Sequence, residues 1–233
     1  MIDGELLKLR DKASLKKDFL SIDEEFVINF VFNSLSFDNF ISEKSDVIKV
    51  LSDDSSTVNE QAKLLINNQK DAFLRVVEMV KNGEKMDEDN LKDLHQIIMR
   101  GFSDIGGLYR NVDISVKGSN HTPPSHIKVY DRMKKYFTYT LEEPENNLFE
   151  YISYCHLQLA KIHPFLDGNG RLSRLMINYQ LLRYGFAPIV ITKDKFNSYF
   201  DCLEEFKVNK NITPFVRFLE HLEEEALNQI IHS

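Results

Sequence analysis

The sequence predicts an all-α domain that carries one small β-hairpin. Nine Gly and six Pro among 233 residues are few, and this scarcity favours helices over a turn-rich β protein. Apolar residues recur at helical spacing over several long stretches, whereas one stretch alternates apolar and polar residues with a period of two. A hydrophobic content of 42% at this length is enough to build a sizeable core.

Helical periodicity predicts five long helices. They cover residues 22–36, 57–82, 87–99 and 146–162, and a last helix that begins at Thr213. Capping signals support several of these ends, because Ser21 or Asp23 precedes the first helix and Gly83 follows the second. Pro214 suits the first turn of the last helix, where its missing N–H removes no intrahelical bond.

Residues 112–129 form the predicted hairpin, which we call the flap. Residues 112–117 alternate apolar and polar side chains, residues 118–124 are rich in turn formers, and residues 125–129 supply a returning strand. A lone hairpin on a helical body is marginal unless it packs against something. The pattern alone leaves two interpretations open, a surface excursion and a binding flap.

Charge and cysteine content exclude several classes of protein. Lys and Arg number 29 against 36 Asp and Glu, and a net charge of −7 disfavours sequence-independent binding to nucleic acid. Cys155 and Cys202 are too few for a disulfide framework or a Cys-rich zinc site, which favours a reducing compartment. The first residues lack the features of a signal peptide, and no stretch reaches 18 apolar residues. We therefore expect a cytoplasmic protein that binds neither nucleic acid nor membrane.

The most informative stretch runs from residue 163 to residue 174. Pro164 disfavours helical backbone angles at His163, so the preceding helix should end there. Gly168, Asn169 and Gly170 readily take positive φ and can turn successive backbone N–H groups toward an anion. A second helix follows them, so its positive end should lie at the same place.

Arg171 and Arg174 indicate a bound anion, most simply a polyphosphate. They are neighbours in the first turn of that helix, where two cations are each unfavourable by roughly 0.3–1 kcal/mol. A sequence selected for stability alone would place Asp or Glu there. The alternative is that acidic side chains from elsewhere in the fold neutralise both arginines.

His163 and Asp167 complete a candidate active site. A histidine can accept a proton from a hydroxyl near neutral pH, although a lone histidine at a helix end is more often structural. Asp167 is a hard oxygen ligand suited to Mg²⁺ shared with phosphates, and Phe165 is a candidate core anchor for the loop. Together these residues predict phosphoryl or nucleotidyl transfer.

The stretch resembles the signature of the Fic family, H-x-F-x-[DE]-G-N-G-R-x-x-R, at all eight specified positions. Less specific similarity extends over residues 55–205, including Leu94-His95, Gly107-Leu108-Tyr109-Arg110, the flap and Tyr199-Phe200-Asp201-Cys202-Leu203. This resemblance implies three regions. They are an N-terminal helical region at residues 1–54, a catalytic core at residues 55–205, and a C-terminal helix packed on the core at residues 206–233.

The resemblance implies transfer of AMP from ATP to a Ser, Thr or Tyr hydroxyl, either of a target protein or of the protein itself. His163 would deprotonate the hydroxyl, and Asp167 would bind Mg²⁺ bridging the α- and β-phosphates. The other signature residues would hold the phosphates, namely Gly168, Asn169, Gly170, Arg171 and Arg174. The flap would dock the protein target, through Val116, Lys117, His121 and Thr122.

Many Fic proteins are inhibited by a glutamate in a motif [ST]-x-x-x-E-[GN], which pairs with the last arginine of the signature. Ser56 and Glu60 have the spacing of this motif, although Gln61 departs from its final position. The resemblance implies that Glu60 pairs with Arg174 and restrains the enzyme. The alternative is that Thr57 and Glu60 form a capping box that only begins a helix.

Two other functions remain compatible with the same residues. The site could remove AMP from a modified target, with Glu60 positioning a water molecule. Alternatively, the chain could be a non-catalytic nucleotide-binding or toxin–antitoxin interaction module. The sequence names neither the target nor the oligomeric state.

Overall fold

Ten α-helices make up the described part of the chain, residues 4–52, 54–102, 104–140, 144 and 147–233 of a computed structural model. They are α1 (Gly4–Ser14), α2 (Glu24–Ser36), α3 (Lys44–Leu51), α4 (Glu60–Lys81), α5 (Glu88–Met99), α6 (Val129–Thr140), α7 (Leu148–Ile162), α8 (Asn169–Arg183), α9 (Phe196–Asn209) and α10 (Thr213–His232). The described residues include no β-strand, and none of their helices is long and apolar enough to span a bilayer. The all-α prediction is confirmed.

Capping side chains begin most of the predicted helices. Asp23 accepts a hydrogen bond from the Phe26 N–H at 2.7 Å and begins α2, as the sequence indicated. Asn59 accepts from the Ala62 N–H at 2.8 Å, so α4 starts after Asn59 and Thr57 is not its cap. Asp87 and Asn147 cap α5 and α7 in the same way.

Helix α8 lies at the centre of the fold. It packs against α7 on one side and α4 on the other, and α5 and α2 also contact it. Leu172, Leu175, Met176 and Tyr179 are all buried along it. Because neighbours surround α8, its polar residues near the N-terminus are buried as well. The candidate catalytic stretch is therefore held by the most enclosed helix of the described chain.

Four helices were not predicted from the periodicity: α1, α3, α6 and α9. Helix α3 has eight residues, which is too short for a clear 3.6-residue repeat. Helix α6 begins at Val129, where the returning strand of the hairpin was expected. The 3-10 turn His126–Lys128 leads directly into it. The flap therefore ends where the sequence predicts, but its second half forms a turn instead of a strand.

The predicted β-hairpin is wrong: residues 112–125 form an irregular loop without strands, and residues 126–129 belong to the 3-10 turn and the start of α6. Its two arms are joined by side chains instead of a strand ladder. The Asp113 carboxylate accepts hydrogen bonds from the Ser125 hydroxyl at 3.0 Å and the His126 N–H at 2.7 Å. Pro123 and Pro124 have no N–H to donate, so this arm cannot build a regular ladder with the other.

Candidate active site

His163 lies where α7 ends and takes the left-handed conformation, with φ 51° and ψ 62°. Pro164 disfavours the helical region for the residue before it, so the predicted helix end is confirmed. The side chain is half-buried, and its Nδ1 lies 3.4 Å from the Ala160 carbonyl oxygen. Burial lowers the pKa of His163 to about 4, and nearby Lys207 acts in the same direction. A neutral ring that keeps its proton on Nδ1 presents Nε2 as a proton acceptor.

Phe165 and Asn169 fix the loop between α7 and α8. Phe165 is fully buried, as predicted, and stacks on the His95 ring with 3.7 Å between centroids. The Asn169 amide accepts from the Phe165 N–H and donates to the Phe165 carbonyl, both at 2.9 Å. Because its side chain is committed to the loop, Asn169 has only its backbone N–H to offer an anion.

His95 supports this loop, and the sequence analysis gave it no role. Its Nδ1 accepts from the Gly107 N–H at 2.9 Å, and its Nε2 donates to the Asp167 carbonyl at 2.8 Å. Burial lowers the pKa of His95 to about 4, so the ring stays neutral and supplies one acceptor and one donor. Its two partners lie in loops that are distant in sequence, which explains why no local pattern revealed it.

Arg110 joins the flap to the catalytic loop. Its guanidinium donates to the carbonyl oxygens of His163 at 2.9 Å, Val112 at 3.0 Å and Pro124. Its own backbone N–H donates to the Pro164 carbonyl at 2.9 Å. The side chain is buried, so these carbonyls depend on it for hydrogen bonds. One arginine thus fixes both ends of the flap relative to the candidate base.

The two glycines at the start of α8 have different backbone conformations and different neighbours. Gly168 is the N-cap with φ 76°, and an added Cβ would lie 2.9 Å from the Met99 Sδ. Gly170 is helical, so the predicted positive φ is wrong there, as it is at Asn169. A Cβ at Gly170 would lie 3.1 Å from Nη1 of Arg174, so the guanidinium would have to shift by a few tenths of an ångström. The first N–H groups of α8 have no partner inside the helix and form a positive end for an anion.

Asp167 presents a carboxylate beside this helix end. Its side chain is 65% exposed, and Oδ1 accepts from the Gly168 N–H at 2.6 Å. Oδ2 lies 3.6 Å from Nη2 of Arg171. Asp167 is therefore accessible to a ligand that also contacts the start of α8.

Arg171 and Arg174 are both buried, and residues 34–40 cover them. We call these residues the covering segment. Within it, the centroid of the Phe37 ring lies 4.2 Å from Cζ of Arg174. The Ser34 carbonyl accepts a hydrogen bond from Nη2 of Arg174 at 2.8 Å. The Asp38 Oδ2 lies 3.5 Å from Nη2 of Arg174 and 3.9 Å from Nε of Arg171. An acidic side chain from elsewhere in the chain therefore faces both arginines.

Glu60 does not meet Arg174 in this structure. Its side chain is 89% exposed at the start of α4 and pairs with Lys63 at 2.7 Å. Ser56 lies in an exposed turn just before that helix. The expected contact between Glu60 and Arg174 is therefore not seen, and Asp38 is the acidic residue that faces Arg174 instead.

The covering segment contains a second version of the inhibitory pattern, with Asp in place of Glu. Ser34 and Asp38 have the spacing of [ST]-x-x-x-E, and Asn39 satisfies the final position. Asn39 takes the left-handed φ of 55°, a conformation that Gly and Asn adopt more readily than other residues. The pattern with Glu at the fifth position does not match residues 34–39, whereas a pattern that also allows Asp does.

The flap residues predicted to contact a target surround one tight turn. The Val116 carbonyl accepts from the Ser119 N–H at 3.1 Å, and Gly118 has φ 78°. Lys117 and Thr122 are exposed, whereas Val116 and His121 are half-buried. The turn leaves the four side chains in two different environments.

A cavity of about 360 Å³ opens beside the candidate loop. Its lining includes Asp167, Arg171, Phe40, Gln61 and Met99. A larger groove, of about 1100 Å³, lies between α2 and α10 and contains no residue from 163 to 174. The smaller cavity is the one that adjoins the chemistry predicted from the sequence.

A family model matches the part of the chain that contains this loop. Residues 85–181 match the model of the Fic/DOC family. The match contains the whole stretch from His163 to Arg174 and the supporting residues His95 and Arg110.

Named relatives and solved structures agree with the family. The chain is 33% identical over 147 residues to "Protein adenylyltransferase Fic" of Drosophila grimshawi, covering 60% of this chain and 30% of the relative. The chain thus spans less than a third of that relative's length. A Fic domain containing signaling protein from Bacteroides thetaiotaomicron superposes with a TM-score of 0.87 at 21% identity, covering 97% and 94% of the two chains. A C. elegans Fic-1 fragment superposes with a TM-score of 0.85 at 18% identity, covering 98% and 70%.

Proposed function

We propose that the protein transfers AMP from ATP to a hydroxyl group of a protein target. The observation that carries this proposal is the position of a neutral histidine, His163, in the loop that leads directly into the positive end of α8. The name of the Drosophila relative supports the same reaction. Such chemistry depends mainly on positioning and charge neutralisation, which this arrangement supplies.

In this proposal His163 accepts the proton of the target hydroxyl through Nε2. The backbone N–H groups of residues 168–170 and the guanidinium of Arg171 hold the ATP phosphates at the start of α8. Arg174 holds the far end of the triphosphate after it has exchanged its contacts with the covering segment. The flap docks the target through Val116, Lys117, His121 and Thr122 and aligns its hydroxyl with His163.

Asp167 is suited to hold Mg²⁺ together with the phosphates. Its carboxylate is a hard oxygen donor, it is 65% exposed, and it stands beside the free N–H groups of α8. Mg²⁺ typically uses one or two protein carboxylates and completes its shell with phosphates and water, so a single carboxylate here fits the ion. When bound, the ion would supply neutralisation of the phosphate charge.

We further propose that Asp38 restrains the enzyme, the role that the sequence analysis assigned to Glu60. Asp38 faces Arg171 and Arg174, and the Phe37 ring lies under one guanidinium. A bound triphosphate requires both arginines, so the covering segment and ATP compete for them. The restrained site therefore includes residues 34–40, which lie outside the core proposed at residues 55–205.

The proposal is tested with α-labelled ATP, Mg²⁺ and a cell lysate, following label on protein. Wild type should transfer label and His163→Ala should not, because the proton acceptor is lost. His221→Ala is the matched control, since His221 is an exposed histidine on α10. Parallel γ-labelled ATP separates AMP transfer from phosphorylation. Equal labelling by His163→Ala and wild type, or label from the γ position alone, would reject the proposal.

A further inference from the structure

A group of cations lies between the flap and the ends of α7 and α9. Lys161 is in the last turn of α7, Lys207 is in the last turn of α9, and Lys210 follows that helix. We call these three residues the lysine cluster. The Lys210 ammonium donates to the Lys207 carbonyl at 2.9 Å, and the Lys161 ammonium lies 5.3 Å from the Phe206 ring centroid. Three ammonium groups from two helices thus meet around one turn of α9.

The carboxylate available to this cluster is already shared with the flap. Glu204 accepts hydrogen bonds from the Ser119 hydroxyl at 2.5 Å and the Asn120 N–H at 2.8 Å. Lys207 lies 3.3 Å from the same carboxylate and is buried. Glu205, the next acid, instead accepts from the amides of Asn209 and Asn211.

Lys161 and Lys210 are left without a carboxylate partner among the described residues. The same holds for Arg132 on α6, whose charge also acts on Lys161. Burial and the neighbouring Lys210 ammonium lower the pKa of Lys161 to about 8, which agrees with cations that lack a counterion. The cluster is unusual in a chain whose net charge is −7.

Helix ends do not neutralise this charge. Lysines near helix C-termini normally offset the negative end of the macrodipole, which amounts to about half an elementary charge for each helix. The ends of α7 and α9 and the Glu204 carboxylate together contribute about two negative charges. Lys161, Lys207, Lys210 and Arg132 contribute four positive ones, so an excess of about two positive charges faces the flap.

We propose that the lysine cluster binds an acidic side chain of the protein target, so that the enzyme selects hydroxyl groups near Asp or Glu. This inference rests on the proposed function for its biological setting. The positive charge of the cluster indicates an acidic side chain as its partner. The closeness of the cluster to His163 and the flap indicates that this side chain lies near the target hydroxyl. Lys161 is two residues from His163, and Lys207 contacts the flap at Ser119, with 3.4 Å between Nζ and Oγ. The cluster therefore adjoins both the base and the segment that docks the target.

The test measures binding without nucleotide, so that it does not depend on AMP transfer. The probe is a fluorescein-labelled peptide with a central threonine flanked by glutamates, and its counterpart carries glutamines instead. Fluorescence anisotropy should show the glutamate peptide bound to wild type, with about tenfold weaker binding by the double variant Lys161→Ala/Lys210→Ala. The glutamine peptide should bind weakly to both proteins, and added salt should weaken the glutamate complex.

Control variants separate a specific site from general electrostatics. Lys81→Ala/Lys85→Ala also removes two positive charges, but from exposed positions at and just after the C-terminal end of α4. This variant should bind the glutamate peptide like wild type. Lys161→Arg/Lys210→Arg keeps the charge and should also bind, which excludes a folding defect as the cause of loss. His163→Ala should bind the peptide normally even though it transfers no AMP.

Three results would overturn the inference. The first is an equal loss of affinity for the glutamate peptide in Lys161→Ala/Lys210→Ala and in Lys81→Ala/Lys85→Ala. The others are equal affinity of wild type for the glutamate and glutamine peptides, and no binding to wild type up to about 1 mM peptide. If peptide binding meets the expectation while no variant transfers AMP, the acidic docking site stands and the proposed reaction fails. If AMP is transferred but the affinity for the glutamate peptide does not depend on Lys161 and Lys210, the proposed reaction stands and the docking site fails.

Discussion

Replacing Asp38 by Asn should increase ATP binding and AMP transfer. The Asp38 carboxylate lies 3.5 Å from Arg174 and 3.9 Å from Arg171, and its side chain is 38% exposed. At that exposure each contact is worth about 1 kcal/mol, because partial solvation keeps the effective dielectric constant high. Removing both should favour the competing triphosphate by about 2 kcal/mol, which corresponds to roughly 30-fold tighter binding. Asparagine keeps the size and shape of the side chain, so the change isolates its charge.

Calorimetric titration with Mg-ATP measures the affinity, and label from α-labelled ATP measures the transfer. Glu60→Gln is the matched control, because it also removes one carboxylate but from an exposed position that pairs only weakly with Lys63. It should leave both quantities at the wild-type level. Unchanged ATP affinity in Asp38→Asn would refute the reasoning, and a gain in Glu60→Gln as large as expected for Asp38→Asn would return the inhibitory role to Glu60.

Three further predictions concern the support of the site. His156 on α7 contacts the Ser173 carbonyl of α8 at 2.9 Å, and burial lowers its pKa from 6.5 to about 3. Burial also lowers the pKa values of His95 and His163 to about 4, so each of the three takes up a proton on unfolding below pH 6.5, and the free energy of unfolding should fall by about 2 kcal/mol per histidine between pH 7 and pH 5, measured by urea titration at each pH; a flat profile would contradict this. Gly170→Ala places a Cβ 3.1 Å from the Arg174 guanidinium and should slow AMP transfer roughly 10- to 100-fold with little change in melting temperature. Arg110→Lys leaves flap and loop carbonyls unpaired, so it should destabilise the fold by about 2–4 kcal/mol and speed amide hydrogen exchange in residues 112–125; exchange at the wild-type rate would show that the flap is held by other contacts.

The sequence predicted the helix ends that are determined by residues next to them in the chain. Helix α7 ends before Pro164, and α8 begins after Gly168, because proline and glycine act on their own neighbourhood. The candidate base, carboxylate, glycines and arginines could also be predicted, because they all lie within residues 163–174. The flap was predicted wrongly because alternation of side chains does not guarantee a partner strand, and Asp113 joins the arms in place of one.

The contacts that the sequence did not predict join distant segments. His95 meets Asp167 across 72 residues, and Arg174 meets Ser34 across 140. Neither pair has a sequence spacing that a periodic pattern can detect. The partner of Arg174 was assigned to Glu60 because that residue matched the expected residue type, whereas packing of α2 against α8 brings Asp38 to the arginine.

The position of Arg110 has a consequence for engineering. Its guanidinium binds the carbonyls of Val112 and Pro124, so the intervening residues begin and end at fixed points. The same side chain also holds the backbone of His163. Residues 114–123 are thus an exchangeable segment, provided that Ser119 keeps its hydrogen bond to Glu204. Under the proposed function, replacing them with the equivalent segment of another Fic/DOC domain should alter which target is bound and leave the position of His163 unchanged.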